Sequence, residues 1–168
     1  MGGLWRWFKH LGWDAADTRR HLDTAALARV QARVQASELR HSGEIRVCVE
    51  GGLPLSYLRK RLPARARALM LFSKLRVWDT KDNNGVLIYM LMADHAIEVV
   101  ADRGLARRVP PGTWDTLVQA MRENFRAGRF EAGLLQAVDA VDGLLVAHYA
   151  LTEGQRNPNE LPDPVWLL

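Results

Sequence analysis

The apolar positions of this chain change period several times, and each change marks an element. From residue 22 to about 40, Leu27, Val30 and Val34 recur at helical spacing behind Asp23 and Thr24, either of which can cap a helix. His41-Ser42-Gly43 breaks that pattern. Residues 44–50, EIRVCVE, then alternate, which predicts a strand with Ile45, Val47 and Val49 on a core face. Residues 54–75 return to helical spacing through Leu58, Leu62, Ala66 and Leu69, with Pro63 placed to kink the segment or start a second helix. Two short apolar runs follow, 86–92 and 96–101, joined by Ala93-Asp94-His95, and they read as a β-hairpin. With the turn centred on Asp94, Val86 falls opposite Asp102 and Asn84 opposite Gly104. The first run is apolar throughout, as expected of a strand covered on both faces.

Residues 105–111 read as a connector. Thr113 then caps a helix carrying Trp114, Leu117, Val118, Met121 and Phe125, which Gly128 stops. A further helix spans 130–148 and buries Leu134, Val138, Val141 and Leu145. The proline-rich stretch after residue 150 is extended, and its apolar end, Val165 to Leu168, docks on the body or on a partner.

The order α-β-α-β-β-α-α predicts an α/β fold of three layers, α/β/α, around a small mixed sheet. The arm is assigned to residues 1–21, the domain to 22–149 and the tail to 150–168. A right-handed crossover from the first strand to the second makes them parallel. The start of strand one then lies at the same end of the sheet as residues 79–84 and Asp102, bringing Glu38, His41, Ser42 and Glu44 near them.

Composition adds bounds. A chain of 168 residues with 48% hydrophobic and 25% charged residues suits one folded domain. The single cysteine, Cys48, allows no internal disulfide, fits a reducing compartment, and lies in an apolar run where it reads as a core residue. No apolar stretch is long enough to cross a bilayer, and the first residues lack the features of a signal peptide. A cytoplasmic location is expected, at the membrane periphery if the arm binds lipid. The net charge of +4 is mild. Residues 51–78 nevertheless hold seven basic residues and no acidic one. On one straight helix Arg59, Lys60, Arg67 and Lys74 would share a sector, which reads as a solvated face, with no nucleic-acid partner expected. Residues 1–13 interleave Leu4, Trp5, Trp7, Phe8, Leu11 and Trp13 with Arg6, Lys9 and His10. They read as an arm packed on the domain or as an interfacial membrane anchor.

Three stretches resemble the TPM-domain family: His41-Ser42-Gly43-Glu44-Ile45, Leu71-Phe72 with Val77-Trp78-Asp79-Thr80 and Asn83 to Tyr89, and Glu98 to Gly104. Asn159-Glu160-Leu161-Pro162-Asp163 resembles the tail of its short bacterial members. The resemblance implies a mixed sheet between helical layers. It also implies divalent-cation binding, chiefly calcium, and phosphatase activity. Many bacterial relatives carry a signal peptide and a membrane helix, and neither is read here. The family's acidic strand-end positions match Glu44, Asp79, Asn84 and Asp102.

Hard cations such as Ca²⁺ or Mg²⁺ take several oxygen ligands. The metal set expected here is Glu44, Asp79, Asp82, Asn84 and Asp102, with Asn83 beside it. The spacing is not that of an EF-hand, and these residue types also make turns. For phosphoryl chemistry Arg103 would stabilise charge and His41 would serve as acid or base. There is no phosphate-cradling glycine loop and no recognisable nucleophile. Two classes therefore stay open: a metal-dependent phosphatase, and a non-catalytic module that contacts a protein or membrane surface through the arm, the basic helix and the tail.

Overall fold

A computed structural model describes residues 2–13 and 15–168. The side chains of Leu4 and Trp5 lie outside the described ones. The arm is helical: α1 spans Gly2–Leu11 and α2 spans Ala15–His21. Helix α3 (Thr24–Glu38) is capped by Asp23, whose carboxylate accepts the Ala26 N–H at 2.7 Å. Strand β1 (Glu44–Glu50) follows. Pro63 divides the next helical region into α4 (Leu55–Arg59) and α5 (Ala64–Lys74). The hairpin is β2 (Gly85–Leu91) and β3 (Ala96–Ala101). The connector holds a short helix, α6 (Arg103–Ala106), capped by Asp102. Helices α7 (Thr113–Arg126) and α8 (Phe130–Tyr149) complete the domain. The tail ends in a two-residue strand, β4 (Trp166–Leu167).

The sheet order is β3-β2-β1-β4. Strands β1 and β2 are parallel, with Glu44 aligned on Gly85, so the crossover places the strand starts together as expected. One sheet face, with Ile45, Val47, Val49, Ile88 and Met90, packs under α3, α7 and α8. The other, with Cys48, Leu87, Tyr89 and Leu91, packs under α4 and α5. The architecture is the three-layer α/β/α arrangement.

Several local expectations are revised. The hairpin register pairs Val86 with Ala101, one residue away from the sequence alignment. The loop is 92–95, closed by His95 with φ 47° and by its N–H bonding Met92 O at 3.0 Å. An even loop length moves the register by one. Thr113 is the first residue of α7, and Gly112 (φ 86°) is its cap. Strand β1 is buried along its whole length, not on one face. Because α5 restarts after Pro63, its phase changes: Ala64, Ala68 and Leu71 are buried, while Leu69 is exposed. The basic sector breaks up for the same reason. Arg67 turns inward to hold Glu50 in a bidentate pair at 2.5–3.1 Å, and the Tyr89 hydroxyl donates to the same carboxylate at 2.6 Å. Such a pairing offsets the cost of burying the charge. Cys48 is a core residue, and burial pushes its thiol up to about 12.

The tail covers the free edge of β1. Trp166 and Leu167 pair in parallel with Cys48 and Val49, and Arg46 donates to the Pro162 carbonyl. Among the described residues no helix is long and apolar enough to cross a membrane.

Candidate functional site

The end of the sheet where β1 and β2 begin and β3 stops gathers Ser42, Asp82, Asn83, Asn84 and Asp102 from the residues singled out in the sequence. Its frame is the loop before β2. Thr80 folds this loop: its carbonyl accepts the Asn83 N–H at 3.2 Å and its hydroxyl accepts the Asn84 N–H at 3.1 Å. Asn83 adopts φ 51°, a left-handed conformation that Asn tolerates. Asp102 joins the loop through its N–H, which bonds the Gly85 carbonyl at 2.9 Å. One oxygen of Asp102 caps α6 by accepting the Arg103 N–H at 2.7 Å.

Gly104 must be glycine for this to close. A Cβ there would lie 2.4 Å from Asn83 O, 2.5 Å from Asp82 O and 2.9 Å from the Tyr149 hydroxyl. Two main-chain carbonyls thus press against the first turn of α6.

Among the described residues, two buried side-chain oxygens in this frame have no hydrogen-bond partner: Asn84 Oδ1 and Asp102 Oδ2. The Asn84 amide nitrogen donates to the Ser42 hydroxyl at 3.3 Å, so the segment before β1 reaches the site as expected. Asp82 is exposed at the rim. It acts with Asp102 on Tyr149, whose hydroxyl is raised first by burial and further by both carboxylates, against the pull of Arg108. An unpartnered buried carboxylate oxygen costs free energy unless something completes it. Asn84, Asp102 and Asp82 are therefore brought to one place, with Tyr149 beside them. Among the described residues, no three His, Cys, Asp or Glu side chains gather as a metal cluster. The oxygens present are two carboxylates, one amide and neighbouring carbonyls.

The other candidates sit differently. Asp79 is at the surface, paired with Arg76 at 2.5 Å. Glu44 faces the tail, and its two oxygens accept the N–H groups of Glu160 (3.0 Å) and Leu161 (3.2 Å). Burial raises Glu44 against those two bonds. Glu38 accepts the Ile45 N–H at 3.0 Å, and burial, with Glu44 and Asp163 adding, pushes it up to about 8. His41 is fully buried, and burial holds it at about 4, so it is neutral near pH 7. Its Nδ1 donates to Gly43 O at 3.0 Å, which leaves Nε2 as a lone pair 3.6 Å from Asp142 Oδ1. Arg103 is exposed at the start of α6, with no ion pair among the described residues.

Sequence reasoning missed Tyr149 and Glu160. Tyr149 ends the apolar face of α8, where nothing marks it as a site residue. Glu160 accepts the Lys81 N–H at 3.0–3.2 Å and so ties the tail to the loop.

Comparison with known proteins adds three findings. A family model described as the TPM domain matches residues 15–144. The solution structure of the BA42 protein from the psychrophilic bacterium Bizionia argentinensis superposes with TM-score 0.75 at 26% identity, covering 88% of this chain and 95% of that one. The N-terminal domain of a P. gingivalis protein superposes with TM-score 0.61 at 22% identity, covering 79% and 83%, a likeness of fold. No curated protein matches the chain in sequence.

Proposed function

The chain belongs to the TPM-domain family, and from that premise we propose that the β2–β3 end of its sheet binds a divalent cation, Ca²⁺ or Mg²⁺. The observation that carries this reading is the pair of buried, unpartnered oxygens, Asn84 Oδ1 and Asp102 Oδ2, on residues joined through the Gly85 carbonyl. An anionic and a neutral oxygen, with main-chain carbonyls beside them, are the hard donors these cations take. The donors available are Asp102, Asn84 and Asp82. Glu44 and Asp79 stand outside this set, because the tail N–H groups and Arg76 engage them.

A phosphatase-like activity is the finer reading. Arg103, exposed next to Asp102 and without an ion pair among the described residues, would hold a phosphate oxygen, and a bound cation there would supply Lewis acidity. His41 is neutral and buried, so it offers no proton at neutral pH. The first test is thermal unfolding with and without each cation. Ca²⁺ or Mg²⁺ is expected to raise Tm in the native chain and not in Asp102→Asn. Equal shifts in both would remove the site from Asp102. Hydrolysis of para-nitrophenyl phosphate that needs the cation and Arg103 supports the enzyme, and its absence restricts the site to binding.

A further inference from the structure

Among the described side chains of helix α1, the buried one is polar and two apolar ones are exposed. A surface helix ordinarily turns its apolar stripe inward. Here the buried side chain among those described is His10, whose Nδ1 accepts the Leu53 N–H at 3.0 Å and whose Nε2 lies 3.1 Å from Asp94. Trp7 packs partly against the α4–α5 side of the core. Phe8 and Leu11, one turn apart and so on one face, stand out at 66% and 60% exposure. The close seat is built in: a Cβ at Gly52 would lie 2.5 Å from His10 O.

The chain on either side of helix α4 is tied to α1. Leu53, before it, bonds His10, and Leu62, after it, accepts from Arg6 at 3.0 Å. Leu55 is 52% exposed at its start. Arg59, Lys60 and Arg61 are exposed at its end, with no ion pair among the described residues. The nearby acid, Asp94, is engaged by Arg6, Lys9 and His10.

We propose that this α1–α4 face docks on an anionic lipid surface. Phe8, Leu11 and Leu55 would enter the headgroup–acyl boundary while Arg59, Lys60 and Arg61 meet the headgroups. The charge decides the occupant. Three adjacent uncompensated cations call for a surface dense in negative charge, and a symmetric contact with a second copy would set cations against cations.

The test is co-sedimentation of the full chain with vesicles of phosphatidylcholine alone and of phosphatidylcholine mixed with phosphatidylglycerol. Binding to the mixed vesicles is expected, falling about ten-fold or more in the Phe8→Ser/Leu11→Ser variant and in the Arg59→Gln/Lys60→Gln/Arg61→Gln variant. All five positions are exposed, and circular dichroism checks that both variants keep the fold. Binding unchanged in either variant overturns the proposal. So does no binding to either vesicle, or a concentration-dependent dimer that Phe8→Ser/Leu11→Ser dissolves.

Discussion

The carboxylate of Glu44 holds the N–H of Leu161, 117 residues along the chain, at 3.2 Å, and the N–H of Glu160 at 3.0 Å. An acidic residue at the start of a strand thereby becomes the anchor of the tail. The tail passes the bond on, because Glu160 accepts the Lys81 N–H and braces the loop that carries Asp82 and Asn84. Removing the anchor tests this chain of contacts. Glu44→Ala is expected to cost about 2 kcal/mol in urea unfolding, the scale of losing charge-assisted hydrogen bonds less the relief of burying a charge. Hydrogen exchange at the amides of residues 160 and 161 should accelerate. Unchanged protection there would mean that the other tail contacts, β4 and the Arg46 bond to the Pro162 carbonyl among them, hold the tail without Glu44.

Two glycines should respond in opposite directions to the same substitution. Gly104→Ala drives a methyl group onto the carbonyls of Asn83 and Asp82, which are main chain and cannot swing away. A loss of roughly 2 kcal/mol or more is expected. Gly143 lies exposed inside α8, and a Cβ there meets nothing within 4 Å. Gly143→Ala should stabilise by about 0.5–1 kcal/mol through helix propensity. Equal effects in chemical denaturation would contradict the packing of α6 against the loop.

Glu38 and His41 give stability a defined pH dependence. Glu38 titrates near 8 in the folded chain, against an ordinary 4.5, so the folded state binds the extra proton and stability falls as pH rises from 4.5 to 8. His41 is held at about 4, against 6.5, so its contribution is complete above 6.5 and is lost as pH falls to 4. The two oppose each other between pH 4.5 and 6.5, and above that only the Glu38 loss remains. Glu38→Gln keeps an acceptor for the Ile45 N–H without the charge. It should be more stable than the native chain at pH 8 by roughly 2–4 kcal/mol, with the difference vanishing below pH 4.5. A constant difference across that range would show that Glu38 does not titrate with folding.

Much of this was legible along the chain because it rests on local periodicity. The alternation of Ile45, Val47 and Val49, the apolar run of β2 and the helical spacing of Leu134, Val138, Val141 and Leu145 all mark observed elements. The parallel crossover follows from connection length. The convergence of Asn84 and Asp102 was legible too, since it needs only the hairpin and that crossover. What escaped depends on contacts distant in sequence. Strand β4 is two residues long and exists because β1 has a free edge. The commitment of Glu44 depends on the tail, and the inward turn of Arg67 depends on where Pro63 restarts the helix. Tyr149 reaches the site only through the packing of α8.

The cation site is tested most directly by following backbone amide resonances while Ca²⁺, and separately Mg²⁺, is added to the native chain and to Asp102→Asn. Saturable shifts are expected at Asp82, Asn84, Asp102 and Gly104 in the native chain, with those of the variant much reduced. Amides that stay still at Asn84 and Asp102, or that move equally in the variant, would contradict a cation site at this end of the sheet.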